Sequence, residues 1–374
     1  MIPTSPSTAI TNAAKIRALN SLSVRGLASM FDDQNQLFCN RMVRTKKGLK
    51  RQGLSPRYTA MTLMGLHRGE AFGLRNPFNS EAILKRLLKD TKWLESIGDL
   101  GLLLWACALI APERFEEVYH KLNVATAVDR DRLAIEEHTM EMAWFLAGLA
   151  HGALAGLKCI PGLEVLAERS YQAVCKNQGP KGIFGHRAWG KNSVAALRGR
   201  LGSFADQVYP IYALSKFGSA FAHDEALKRA QACAKTICST QGPLGQWWWH
   251  YDSRGGCVAG KYPVYSVHQD AMAPMALFAL SESCGQDYSA WVFKGLAWIY
   301  GQNELKFDLC DESAGIVWRC IYLPKPAAYV QQVASLFGCG PLSSMVPTRL
   351  RVRFEDRPYH FGWVLYAFAS YGFQ

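Results

Sequence analysis

Apolar residues recur at helical spacing in blocks of ten to fifteen residues, parted by loops rich in Gly and Pro, and strand-like alternation is nearly absent. Two kinds of block alternate. Ser80–Leu94, Glu113–Leu122, Leu163–Lys176, Asp224–Cys238 and Ala290–Tyr300 are charged on one side and apolar on the other, the mixed faces of surface helices. Ser55–Leu66, Asp99–Ile110, Glu137–Leu149, Phe204–Phe217, His268–Leu280, Asp311–Ile321 and Pro358–Tyr371 are apolar almost all round, as helices buried on every side are. Buried helices ringed by amphipathic ones make an α/α barrel. The expected fold is therefore all-α: a single (α/α)6 or (α/α)7 toroid spanning residues 1–374, with Ala13–Met30 as the outer helix that closes the ring.

An internal repeat supports this reading. Gln178-Gly-Pro-Lys-Gly182 follows one outer helix, Gln241-Gly-Pro-Leu-Gly245 follows the next 63 residues on, and Gln302 follows a third after 61 more. Gly suits the position just past a helix end, and Pro prevents continuation. Pro56, Pro210, Pro274 and Pro358 stand near the starts of inner blocks, where a missing N–H costs little.

Hydrophobic residues make up 49% of the chain and charged residues 19%, enough to bury a large core and too few for a disordered chain. The net charge of +12 is scattered, with small knots at Arg41–Lys50, Arg198–Arg200 and Arg349–Arg353. A basic balance without a recognition motif points to a basic surface or an anionic small substrate rather than nucleic acid. The 11 Cys form no CxxC pair and lie mostly in apolar stretches, which reads as reduced, buried thiols. Met1 to Asn20 lacks the apolar core of a secretory leader, and no run is apolar enough to span a bilayer. The expectation is a cytoplasmic protein with no integral membrane contact. No metal or cofactor is expected.

Polar residues concentrate in the first turns of the inner blocks: Arg57 and Tyr58; Asp99; Glu137, His138 and Glu141; Asp206, Gln207 and Tyr209; His268, Gln269 and Asp270; Asp311 and Glu312; Tyr359 and His360. In a toroid these turns converge on one mouth of the axis. Acids there also cap N–H groups and complement the helix dipole; histidines have no such reason to be there. The densest stretch runs from Gly245 to Pro274. Trp247, Trp248 and Trp249 follow a helix stop, which puts them on a loop over the cavity as faces for sugar rings or isoprenoid chains. His250 with Asp252, and His268 with Asp270, form acid–base pairs two residues apart. A carboxylate beside a His raises its pKa towards the range useful for proton transfer. Arg254, Arg187, Arg57 and Arg319 are candidate clamps for a carboxylate or phosphate.

Three toroid families share fragments with the chain. Gly245 to Asp252 resembles the Gly-x-Trp…His…Asp segment of unsaturated uronyl and rhamnogalacturonyl hydrolases, which are six-hairpin glycosidases. That resemblance implies a saccharide substrate, aromatic platforms and an Asp general acid or base, for which Asp206 or Asp270 are the candidates. Gln241-Gly-Pro-Leu-Gly245-Gln-Trp247 resembles the Gln-x-x-x-Gly-x-Trp repeat of squalene and terpenoid cyclases, with Gln178 to Phe184 as a degenerate copy. In that family the repeat ties outer helices together; the Asp-x-Asp-Asp proton donor is missing here. Gly148-Leu-Ala-His151-Gly152 is similar to a signature of lanthionine synthetase cyclases, but their zinc-binding Cys contexts are absent, and His151 reads as a packing residue at a close helix crossing.

The leading functional reading is a carbohydrate-active enzyme that acts on an anionic saccharide by acid–base chemistry, of hydrolase, lyase or epimerase type. His268 and Asp270 are assigned proton transfer, with His250, Asp252 and Asp206 assisting. Trp247, Trp248 and Tyr262 form the platform, Arg254 holds the anionic group, and Tyr58, Gln207, His138 and His360 complete the substrate contacts. The alternatives are a terpenoid or prenyl-diphosphate cyclase, which needs an apolar cavity below the polar mouth, and a non-catalytic toroid that binds a partner.

Overall fold

The computed structural model describes residues 6–121, 138–187, 199–325, 327, 331 and 349–373. Its twelve longer helices alternate between the two kinds. The outer ones are α1 (Pro6–Met30), α3 (Ser80–Lys89), α5 (Pro112–Lys121), α7 (Leu163–Lys176), α9 (Asp224–Ser239) and α11 (Ser289–Ile299). The inner ones are α2 (Pro56–Glu70), α4 (Ile97–Ile110), α6 (Thr139–Leu154), α8 (Ala205–Phe221), α10 (Ala273–Cys284) and α12 (Pro358–Phe368). The inner helices neighbour one another in that order, α12 returns to α2, and each outer helix packs on the inner ring. The architecture is an α/α toroid, with six hairpins among the described residues.

Helix α4 illustrates why the inner ring forms. Eleven of its residues are buried, so an all-apolar sequence is what the position demands. Ser96 caps its Asp99 N–H. Close approach is bought with glycine: a Cβ on Gly148 would stand 2.4 Å from the Gly101 carbonyl oxygen of the neighbouring inner helix. The expected crossing at this point is present, and His151 is buried there, stacked on Trp105 at 5.1 Å and bonded to the Tyr212 hydroxyl at 2.8 Å. Trp105, Tyr212, Trp363 and Tyr366 fill the axis around it.

The repeat does tie outer helices together. Gln178 donates to the Gly182 and Arg229 carbonyls, and Gln241 to those of Gly245 and Trp291. Gly182 and Gly245 have φ of +84° and +95°, a conformation that favours glycine.

Three expectations are corrected. The block Asp311–Ile321 is not a helix: β8 (Cys310–Asp311) and β9 (Ile316–Val317) make a hairpin, followed by β10 (Cys320–Tyr322). Asp311 accepts from Ala314 N, Gly315 takes φ +65°, and the β-branched Ile316 and Val317 follow, so the local chemistry is that of a turn. The near absence of strands also fails at β2 (Leu37–Thr45) and β3 (Gly48–Leu54), an antiparallel hairpin. Small sheets at the loops add β4 (Leu201–Ser203), β5 (His250–Asp252), β6 (Cys257–Gly260), β7 (Val264–Tyr265), β11 (Arg351–Arg353) and β12 (Glu355–Asp356). They join as β4–β5–β6, as β11–β10–β7, and as β12 on β2, to which the short β1 (Phe31–Asp32) also pairs. Nine cysteines are free thiols, but Cys257 is disulfide-bonded, so the reading of uniformly reduced thiols does not hold there. Among the described residues no helix is long and apolar enough to cross a membrane.

Candidate active site at the mouth of the toroid

The first turns of the inner helices converge as expected, around a cavity of about 200 Å³. Its wall is Arg57, Tyr58 and Met61 from α2; Met140 and Trp144 from α6; Ala205 and Tyr209 from α8; His268 and Met272 from the turn before α10; and Tyr359 from α12, with Trp249, Tyr265 and Arg319 from the loops. None of these described wall residues is a carboxylate.

His268 is the titratable imidazole of the wall. It opens a π-helical turn, His268–Met272, at the start of α10. Pro274 has no N–H to give the Asp270 carbonyl, and the Ala273 N–H reaches back to His268 instead, so the register loosens by one residue. The ring is buried, lies parallel to Trp249 at 5.9 Å and touches Phe204 and Tyr265. Burial, with the nearby charges of Arg319 and His360, pushes its pKa down to about 3. Its Nδ1 is buried without a hydrogen-bond partner.

The expected His268–Asp270 pair is not formed. Residues two apart on a helical turn point to nearly opposite sides. Asp270 turns away from the wall and meets His360 Nε2 at 2.7 Å, while Asp356 meets His360 Nδ1 at 3.0 Å. Burial opposes a charge on His360, but the two carboxylates outweigh it and hold the pKa at about 10. Burial also raises the pKa of Asp270, whose Oδ2 has no partner. His360 is thus a buried imidazolium beneath the wall, not a wall residue. Asp206 is saturated: it accepts from Ser203 N, Ser203 Oγ and Met140 N, and pairs with His186 at 3.1 Å.

The platform lies elsewhere than expected. Trp247 is wholly buried in the core, where its backbone N–H donates to Gln269 Oε1 and its indole Nε1 has no partner. Trp248 is buried and bonds the Thr240 carbonyl through Nε1. Tyr262 gives its hydroxyl to Glu304. Three successive residues on extended backbone cannot share a face, and it is Trp249 that reaches the cavity. His250 and Asp252 sit on β5, where Asp252 accepts from Arg254 N and lies 3.7 Å from Arg200, bracing the turn. Arg254 is exposed on that turn and is not the wall's cation. The cations at the wall are Arg57, bidentate to the buried Asp99 at 2.5 and 2.8 Å, and Arg319, 3.0 Å from Glu355 and 4.9 Å over the Tyr265 ring.

Tyr58 is at the wall, its hydroxyl bonded to Arg357. Gln207 is structural: it holds Phe184 N and O and the Ser203 carbonyl. His138 stands at the start of α6, stacked on His186 at 4.3 Å and outside the described wall. Glu137 lies outside the described residues. The sequence reading missed Met61, Trp144 and Met272. Each sits one helical turn below a first-turn residue, so an i+3 or i+4 step from Tyr58, Glu141 and His268 finds them.

Solved structures with this architecture were found across the whole chain. An unsaturated glucuronyl hydrolase from a Bacillus species aligns at TM-score 0.59 and 13% identity over 95% of each chain. Cellobiose 2-epimerase from Bacillus thermoamylovorans aligns at TM-score 0.62 and 9% identity, over 96% of this chain and 99% of that one. An unsaturated glucuronyl hydrolase specific for heparin aligns at TM-score 0.56 and 14% identity, over 95% and 96%. These structures share the α/α-toroid fold of this chain. No protein-family model matches the sequence, and no curated protein matches it either. Identities this low speak to the fold and leave the chemistry to the residues.

Proposed function

We propose that the chain is a carbohydrate-active enzyme that transfers a proton to or from an anionic, uronate-containing saccharide held in this cavity. The observation that carries the proposal is the composition of the wall: a neutral histidine whose buried Nδ1 has no hydrogen-bond partner, two guanidiniums, and the rings of Trp144, Trp249 and Tyr265, with no carboxylate among its described residues. Hydrolysis by a carboxylate pair needs two such groups facing the scissile bond. A histidine with arginines suits lyase or epimerase chemistry, in which a base takes a carbon-bound proton and cations hold the charge that develops. Sugar processing in the structural neighbours is consistent with this reading.

His268 is the proton-transfer group. On its own it is a weak base, because burial and Arg319 both disfavour its charged form. A substrate carboxylate against Arg319 offsets that positive charge and raises the basicity of the ring when it is needed. Trp249, which lines the cavity beside the imidazole, supplies an apolar ring against which a sugar can pack. The Asp270–His360–Asp356 chain beneath fixes the floor on which His268 sits.

The test is turnover of unsaturated uronyl oligosaccharides and of polyuronates, read by product NMR, for wild type and His268→Ala. The expected loss is about 10²–10⁴-fold. Undiminished turnover in the variant, or turnover of prenyl diphosphates in place of saccharides, overturns the proposal.

A further inference from the structure

The hairpin β2–β3 and strand β11 carry charge that the cavity chemistry leaves unused. Residues 37–54 hold six Lys and Arg and no acid, and residues 349–353 hold three Arg and no acid. Arg44, Lys46, Lys47, Lys50, Arg351 and Arg353 are exposed. The ribbon is continuous with the mouth. Arg353 pairs in register with Cys320, next to Arg319 of the wall, and β10 pairs on its other side with Tyr265 of the wall. A single buried carboxylate, Glu355, links the two regions: Arg319 lies 3.0 Å from it, Arg41 of β2 3.5 Å and Arg357 3.7 Å. One carboxylate does not neutralise three guanidiniums, so this junction keeps a positive potential.

Two part-exposed rings lie beside the ribbon. Phe354 and Phe307 are each 37% exposed, with centroids 6.1 Å apart, and Arg44 lies 5.1 Å over Phe354. Exposed cations beside part-exposed aromatic rings suit a chain of acidic sugar rings, which presents anionic edges and apolar C–H faces in turn.

We propose that this ribbon is a binding track for an acidic polysaccharide, holding the stretch of chain that extends out of the cavity. The proposal rests on the saccharide reading of the cavity and deepens it: the substrate is a polymer rather than a disaccharide. A disaccharide held at the mouth is too short to meet many of the ribbon's cations, whereas a polymer gains many weak ion contacts, each screened by salt.

The test is calorimetric binding of a long polygalacturonate chain and of galacturonate disaccharide to the full chain. The variants are Lys46→Glu with Lys47→Glu and Lys50→Glu, and a parallel Lys→Gln set that removes charge without reversing it. The expected result for the reversed set is an affinity for the long chain about tenfold lower, with unchanged disaccharide affinity and an unchanged melting temperature. The Gln set gives a smaller loss in the same direction. Equal long-chain affinity in wild type and both variant sets overturns the track. Tighter wild-type binding of single-stranded DNA or of phosphatidylserine vesicles than of polygalacturonate assigns the ribbon to another occupant and overturns it as a saccharide track. Binding does not require turnover, so absence of activity on uronates together with ribbon-dependent polymer binding separates failure of the cavity reading from failure of this one.

Discussion

Two successive helix-to-helix junctions, one pairing residues 178–184 with 203–207 and the other 241–247 with 265–269, use one frame for different ends. In the first, Gln207 takes the N–H of Phe184 at 2.8 Å and returns bonds to Phe184 O and Ser203 O. In the second, Gln269 takes the N–H of Trp247 at 3.1 Å and returns a bond to Tyr265 O. The residue before each glutamine differs. Asp206 is saturated with hydrogen bonds, and its junction is closed by them. His268 has an unpartnered Nδ1 and a π-helical turn that sets it at the wall. Repetition therefore builds the barrel, and one copy leaves a polar group unsatisfied, which is where we propose the chemistry lies.

Exchanging function for stability at this pair of positions has the largest expected effects. His268→Ala is expected to lose about 10²–10⁴-fold in turnover with a loss of stability of about 2 kcal/mol from the vacated ring site, smaller than that of Asp206→Ala. Asp206→Ala leaves several donors unmet and is expected to cost about 3 kcal/mol or more, read by chemical denaturation. If Asp206→Ala is neutral to stability, the contrast between the two copies is lost.

The helix-stop glycines come next. A Cβ on Gly245 meets the Lys294 carbonyl oxygen at 2.1 Å, and one on Gly182 meets Ala232 at 2.6 Å. Gly245→Ala and Gly182→Ala are each expected to destabilise by about 3 kcal/mol. Gln207→Ala and Gln269→Ala follow, each at about 2 kcal/mol for the unmet backbone groups. Near-equal values within each pair sharpen the claim of one shared frame; a large asymmetry breaks it.

The pH dependence of stability is the subtlest effect. His360 is held at about 10 against an ordinary 6.5. Between these values the folded chain keeps a proton that the unfolded chain has released, so this contribution is complete below 6.5 and is lost as pH rises through 10. His268, pushed down to about 3, acts in the other direction: the unfolded chain takes its proton below 6.5 and the folded chain does not until about 3, so stability falls with pH across that window. His151, also pushed down by burial, adds to the acid limb. Denaturation curves across pH are expected to show a maximum near 6.5, with the alkaline limb flattened in His360→Gln.

The ring was legible in the sequence because burial on all sides and burial on one side leave different patterns, and because Gln-Gly-Pro marks where outer helices stop. The convergence of polar first turns was legible for the same reason. Orientation inside the mouth was not. His268 and Asp270 are close in sequence, yet a helical turn sends them apart. The triplet Trp247–Trp249 gives no sign of which ring faces inward. The partner of Asp270 is His360, 90 positions away, and no local pattern links them. Arg254 and Arg319 look alike as residues; only the sheet β7–β10–β11 brings Arg319 to the wall.

The central claim is that the anionic group of a saccharide sits against Arg319 with its ring over Trp249 and its reacting carbon beside His268. A crystal structure of the His268→Ala variant with an unsaturated uronyl disaccharide tests it directly. The account predicts the uronate carboxylate within hydrogen-bond distance of the Arg319 guanidinium and the sugar stacked on Trp249. A disaccharide seated on the Trp248–Tyr262 side, with the cavity empty, contradicts it.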